Sequence, residues 1–236
     1  MSIRSLALET SGRVGSVALM EDGKLLAAEY FPHGLQHAAR ILVVIDSLCT
    51  RLGWKPGDLH EIYVSIGPGS FTGLRIGVTL AKTLALATGV KIVAVPSALV
   101  LVRNAPPEAR HVIVVLDAKR GQIFTGRFER TDEGWAEREA AHLDTLIAML
   151  ERSPRPVYLI GEGLPYHETS INDPGVLRTD KEVWRARAEM VAEVGWAMAR
   201  RGEFADPLRL IPFYVRLPEA EEKFAANLLG TRGGLS

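Results

Sequence analysis

The sequence predicts an α/β fold of two similar halves, each a mixed sheet flanked by helices. Three observations predict it. Residues 1–103 alternate short β-prone runs with longer helical periods in the order βββαβαβα. After a proline-containing break at 104–108 the pattern begins again, with a strand that ends in an acid (Asp117) as the first ended in Glu9. Between strand four and the helix after it, the chain passes through Gly67, Gly69 and Gly73 with no room for a long loop.

Taken in order, residues 5–8, 15–19 and 24–31 read as three strands, with Glu21-Asp22-Gly23 supplying a tight turn. Residues 35–52 read as a helix with Ala38, Leu42, Ile45, Cys49 and Leu52 on its inner face, and Gly53 closes it. Residues 62–66 form a buried strand. Residues 74–88 form a second helix with Leu74, Val78, Ala81, Ala85 and Leu86 at helical spacing and Gly89 as the stop. A β-branched strand at 90–95 and a short helix from Pro96 to about Arg103 complete the first half. Residues 104–108 read as a linker. In the second half, strands are expected at 112–116, 122–128, 135–141 and 157–160, with a turn at Asp132-Glu133-Gly134. Helices are expected at 144–150 and 185–201, the latter with Met190, Val194, Ala197 and Met198 inward. The repeat shows in element order and turn positions, not in residue identity. The expected division is 1–103, 104–211 and a tail at 212–236.

The chain has 236 residues, 28 Lys+Arg against 28 Asp+Glu, 47% apolar and 24% charged residues. That is ordinary globular composition, long enough for two small cores. Zero net charge argues against a chain that binds nucleic acid alone through a basic surface, and favours association with other proteins. The single Cys49 excludes an internal disulfide. No apolar run approaches the ~20 residues of a membrane span. The N-terminus leads straight into a strand without a signal-peptide pattern, so a cytoplasmic protein is expected.

The stretch Ser65-Ile66-Gly67-Pro68-Gly69-Ser70-Phe71-Thr72-Gly73-Leu74-Arg75-Ile76-Gly77 carries most of the chemical information. A strand turning through glycines into a helix N-terminus gathers unpaired N–H groups where the helix dipole is positive, which attracts anions. Ser70, Thr72 and Arg75 add donors. The other reading is that the glycines only permit a tight turn and close packing. The stretch is not a Walker loop, since no Gly-Lys-Ser/Thr follows, and it is not a dinucleotide fingerprint.

This stretch and the helix Val78-Thr79-Leu80-Ala81-Lys82-Thr83-Leu84-Ala85 resemble the signature of the TsaB (YeaZ) family, small bacterial paralogues of TsaD within the actin, heat-shock ATPase and sugar-kinase superfamily. The Tyr214-x-Arg216-x-Pro218-Glu219-Ala220 string resembles that family's C-terminal signature. The resemblance spans residues 3 to about 223 and is strongest at 65–85. It implies two ribonuclease-H-like halves with a cleft between them.

In superfamily ATPases an acid ending strand one of each half helps hold the metal–nucleotide complex, and Glu9 and Asp117 stand in those places. The resemblance makes Glu9, Thr10, Gly67, Pro68, Gly69, Ser70, Thr72, Gly73, Arg75 and Asp117 the candidates for a nucleotide or phosphate loop. Where the second half should have a glycine-rich turn it has Asp117-Ala118-Lys119-Arg120-Gly121; the two cations either pair with a phosphate or are solvated hairpin residues. The TsaD paralogues carry a metal-binding histidine pair after strand five, and Val95-Pro96-Ser97-Ala98-Leu99-Val100 has no such ligand. His33 and His37 lack the further donors of a metal site, and His37 matches the family's helix-entry histidine. No catalytic residue and no metal site is therefore expected.

The resemblance implies a non-catalytic partner of TsaD that acts with the ATPase TsaE. Together they place a threonylcarbamoyl group on the adenosine beside the tRNA anticodon, giving N6-threonylcarbamoyladenosine. The first-half helices are implied to grip the partner, through His37, Thr72, Arg75, Ile76, Thr79 and Thr83, unless that face simply meets solvent. Tyr214, Arg216, Pro218 and Glu219 belong either to a docking tail or to a partly ordered terminus. A homodimer is expected when the chain is alone, with no cofactor of its own, ATP or ADP at the partner interface, and tRNA met only through the complex. The competing expectation is a small-molecule kinase or ATPase of the same superfamily, which would depend on Glu9 and Asp117.

Overall fold

The computed structural model of the chain describes residues 2–32, 37–167 and 171–215. The first sheet contains β1 (Arg4–Glu9), β2 (Val14–Glu21), β3 (Lys24–Pro32), β4 (Glu61–Gly67) and β5 (Lys91–Pro96) in the order β3-β2-β1-β4-β5. The second contains β6 (His111–Asp117), β7 (Ile123–Thr131), β8 (Gly134–Asp144), β9 (Val157–Ile160) and β10 (Val176–Arg178) in the order β10-β9-β6-β7-β8. Both therefore run third-second-first-fourth-fifth, with the first three strands antiparallel and the last two joined in parallel. The duplication expected from element order is present, strand for strand.

Local sequence explains the hairpins. Asp22 and Gly23 both take positive φ (48° and 80°), the conformation a two-residue hairpin loop requires, and Glu21 then pairs with Lys24. In the second half the loop is Asp132 and Glu133, and Gly134 opens β8 by pairing with Thr131.

Helices α1 (His37–Arg51) and α2 (Phe71–Thr88) cover one face of the first sheet, packed on Leu6, Leu8, Val17, Leu19, Ile62 and Val64. Alternation along the strands sends Ala7, Ala18, Tyr63, Val93 and Val95 to the other face. There α3 (Ser97–Val102) and α5 (Ala188–Arg200) lie in one continuous core with both sheets, to which α4 (Leu146–Glu151) also contributes. Gly89 caps α2 in a left-handed conformation, its N–H returning to the Ala85 carbonyl.

Several expectations shift. The buried stripe of α1 is Ile41, Val44, Ile45, Leu48 and Cys49, while Leu42 is 54% exposed. Leu86 on α2 is 63% exposed, and Ala197 on α5 faces solvent. These helices carry apolar residues around much of their circumference, so periodicity alone does not set their roll. The 104–108 stretch is no slack linker: buried Asn104 donates to the carbonyls of Val183 and Arg185 (3.2 and 2.7 Å) and accepts from Arg187 (3.0 Å). Helix α5, late in the chain, packs against the first sheet. Its end is fixed where Arg200 and Tyr63 both bond the buried Glu61 carboxylate, and Tyr63 also meets Ser5 at 3.0 Å. Burial and the Glu61 carboxylate push the Tyr63 phenol well above its ordinary pKa. Beyond α5 the chain returns to the first sheet, with Ala205 N donating to Ile92 O (2.8 Å) and Phe213 N to Ile66 O (2.7 Å).

The approach of α5 is closest at Gly195, where a Cβ would lie 2.3 Å from Tyr63 Cγ. Gly195→Ala should destabilise the chain by about 1–3 kcal/mol through overpacking, even though alanine is favoured over glycine in a helix interior by about 1 kcal/mol. Urea unfolding of the two proteins checks this.

Candidate functional site

The site is the cleft between the ends of the two sheets. It has a volume of about 230 Å³ and is lined by Ser11, Gly12, Arg13, Gly69 and Ser70 on one wall and Leu116, Asp117, Phe124 and Glu162 on the other. The two walls are built alike. In the first, the loop after β4 crosses the end of β1; in the second, the loop after β9 crosses the end of β6.

In the first wall Gly67, Gly69 and Gly73 each meet the protein's own backbone. A Cβ on Gly69 would lie 2.5 Å from the Ser11 carbonyl oxygen, one on Gly73 1.9 Å from that of Thr10, and one on Gly67 2.5 Å from that of Phe213. Ser70 N donates to Ser11 O at 2.7 Å, and the Ser70 hydroxyl caps α2 by accepting from Gly73 N at 3.3 Å. Close packing accounts for all three glycines. Pro68 sits between Gly67 and Gly69, and Thr10 is wholly buried, its hydroxyl pressed toward Gly77. In the second wall Gly161 and Gly163 play the same part: added Cβ atoms would lie 2.3 Å from Val115 O and 2.6 Å from Asp117 N. Gly67-Pro68-Gly69 and Gly161-Glu162-Gly163 are thus structural equivalents, a residue-level trace of the duplication that reading by element order missed.

The two acids at the strand ends differ. Asp117 is exposed at the cleft, accepting from Lys119 N at 3.1 Å, with His167 Nε2 3.9 Å away. Lys119 and Arg120 take left-handed φ values (60° and 55°) in the turn beyond it. Glu9 instead has no exposed surface. Its Oε1 accepts from the Ser11 amide (2.5 Å) and hydroxyl (2.6 Å), and its Oε2 from the Ser65 hydroxyl. The carboxylate is turned into the protein and occupied there. Sequence reasoning gave Ser11 and Ser65 no role. It also passed over Arg13, Glu162 and Tyr166, although an acid between two glycines after a strand was a usable signal.

The partner-face candidates lie together on α2. Thr72, Arg75, Thr79 and Thr83 are exposed and Ile76 is half-buried. Leu42 and Val43 on neighbouring α1 and Leu86 on α2 add exposed apolar surface. Arg75 stacks on Phe71 at 3.8 Å and donates to the Tyr214 hydroxyl at 3.2 Å, so the start of the tail is held against α2. Lys82 Nζ donates to Leu210 O at 2.9 Å on the same strip. His37 opens α1; its side chain, with Arg216, Pro218 and Glu219, lies outside the described residues. Among the described residues no three His, Cys, Asp or Glu side chains converge to hold a metal.

Burial pushes the Glu9 carboxyl above its ordinary value of 4.5, against the lowering effect of the Ser11 and Ser65 hydrogen bonds. A carboxyl whose folded pKa is raised loses stabilising effect as pH climbs from the unfolded value through the folded one. Glu9→Gln keeps the shape and removes the titration. Below pH 4.5 the two proteins should be similarly stable, and the variant should gain steadily on the wild type towards neutral pH. Denaturant unfolding across that range measures the difference.

Comparison with known proteins agrees with this geometry. Residues 34–163 match the family model described as TsaD, tRNA N6-adenosine threonylcarbamoyltransferase. The tRNA threonylcarbamoyladenosine biosynthesis protein TsaB of Bacillus subtilis is 34% identical, covering 93% of this chain and 96% of that one. Its Escherichia coli namesake is 27% identical, covering 91% and 95%. The solved structure of YeaZ from Pseudomonas aeruginosa superposes with a TM-score of 0.77 at 26% identity, over 90% of this chain and 99% of that one. The sheet order, the glycine loop and identity along nearly the whole length converge, and the chain belongs to the TsaB (YeaZ) family.

Proposed function

We propose that this chain is a non-catalytic partner of a TsaD-type paralogue in the formation of N6-threonylcarbamoyladenosine in tRNA. Its relatives are named as biosynthesis proteins of that modified nucleoside, and its α1–β9 region matches the TsaD family model. The observation that carries the non-catalytic part is the fate of Glu9. The acid that would help hold a metal–nucleotide complex is enclosed by Ser11 and Ser65, and the glycines beside it are filled by backbone. On this reading the chain contributes a surface to the reaction. The partner is gripped by α1 and α2 through Thr72, Arg75, Ile76, Thr79 and Thr83, a strip of short or mildly polar side chains that allows close helix approach. Tyr214, held by Arg75, extends the strip towards the tail.

Under the same proposal, the chain works in the cytoplasm beside a TsaE-type ATPase and pairs with itself when TsaD is absent. It carries no cofactor of its own, ATP or ADP lies at the partner interface, and tRNA is met through the complex. Among the described residues no helix is long and apolar enough to cross a membrane.

A drop-out reconstitution tests the role. TsaD, TsaE, the adenylate-forming enzyme, ATP, threonine, bicarbonate and tRNA are combined with and without this chain, and the modified nucleoside is quantified. Product should vanish without the chain and should not form from the chain when TsaD is left out. Steady turnover of magnesium-ATP by the isolated chain would replace this reading with the kinase or ATPase one. The surface has its own test. Thr79→Arg places a bulky charge on an exposed position, so folding should be unchanged by circular dichroism while affinity for TsaD falls about 100-fold, some 3 kcal/mol. Unchanged affinity would put the interface elsewhere.

A further inference from the structure

Arg13 projects from the β1–β2 turn across the mouth of the cleft. Its amide donates to Glu162 Oε2 at 3.2 Å, and its guanidinium donates to the Tyr166 hydroxyl at 2.5 Å with its centre 5.8 Å from that ring. Glu162 also faces Arg185, at 3.8 Å. The Tyr166 hydroxyl, and to a lesser degree Glu162 and Asp117, which line this cleft, hold the Arg13 guanidinium above its ordinary pKa.

We propose that Arg13 is a built-in bolt across the cleft: through its amide to Glu162 and its guanidinium to Tyr166 it joins the 10–13 turn of the first half to the 161–167 segment of the second. The bolt goes beyond the partner role and does not depend on it. It consists of one residue held at two points, its amide by the Glu162 carboxylate and its guanidinium by the Tyr166 hydroxyl, both in the segment that follows β9. The core around α3 and α5 joins the halves independently, so release of the bolt loosens the cleft mouth without unfolding the chain.

Hydrogen–deuterium exchange on the full chain tests this as a double-mutant cycle of Arg13→Gln, Tyr166→Phe and the pair, with β1 amides as the internal reference for global unfolding. An exposed contact of this kind is worth up to about a five-fold change in local opening. Each single variant should speed exchange by about that factor in both segments, 10–14 and 160–167, with β1 unchanged. The double variant should exchange no faster than either single one. Acceleration confined to the mutated segment, or a double effect equal to the product of the singles, would overturn the bolt. So would unchanged exchange in both singles. Acceleration of β1 as well would show that the residues support the fold globally, which also overturns it.

Discussion

The contact on which the rest depends is backbone against backbone, where the start of α2 crosses the end of β1. The Thr10 carbonyl oxygen stands where a Cβ of residue 73 would be, and the Ser11 carbonyl receives the Ser70 amide. No side chain larger than hydrogen fits at 69 or 73, so the sequence at these positions follows from the topology. In a sheet of order third-second-first-fourth-fifth, the fourth strand lies beside the first, and the chain leaving it must pass over the first strand's end. The same requirement recurs in the second half, where Gly161 and Gly163 press on β6. Two features that look like ligand chemistry in one dimension, a Gly-x-Gly and its repeat, are thus geometric consequences of how these sheets are wired.

That constraint also settles the electrostatics of the site. With the 67–73 loop seated on Thr10 and Ser11, the Glu9 carboxylate is enclosed and its acceptors are taken by Ser11 and Ser65. A fully buried carboxyl with three donors pins the loops around it. Asp117, the equivalent acid of the second half, stays exposed at the cleft, where it accepts from Lys119 N in the turn beyond it. The asymmetry between the halves is therefore local and rests on the donors that surround each acid.

Much of this was legible from the residues. Element order along the chain followed from the alternation of short β-prone runs with helical periods, and the helix stops from Gly53 and Gly89. The strip Thr72, Ile76, Thr79 and Thr83 lies on one face of α2 as helical spacing requires. What was not legible depended on contacts far apart in the chain. The roll of α1 was misread by one position because Leu42 and Val43 are as apolar as the residues that are buried. Asn104 looked like linker and proved buried, since its partners Val183 and Arg185 lie some eighty positions later. The β10 strand is only three residues long and escaped pattern reading. The inward fate of Glu9 could not be seen because Ser65, the residue that receives it, is 56 positions away.

The position of α5 has a consequence for how such a chain comes into being. The inner face of the first sheet, with Ala7, Ala18, Met20, Tyr63 and Val93, is covered by a helix that begins at Ala188. The Ala188 amide reaches back 172 positions to Ser16, and Arg200 reaches 139 to Glu61. During synthesis the opening strands thus leave the ribosome long before their cover does. Pairings this distant in sequence form slowly, and an uncovered apolar sheet face is prone to association in the meantime. A nascent chain truncated before α5 is a half-finished sandwich, and its dependence on chaperones should be set by the time needed to translate the 172 positions that separate Ser16 from Ala188.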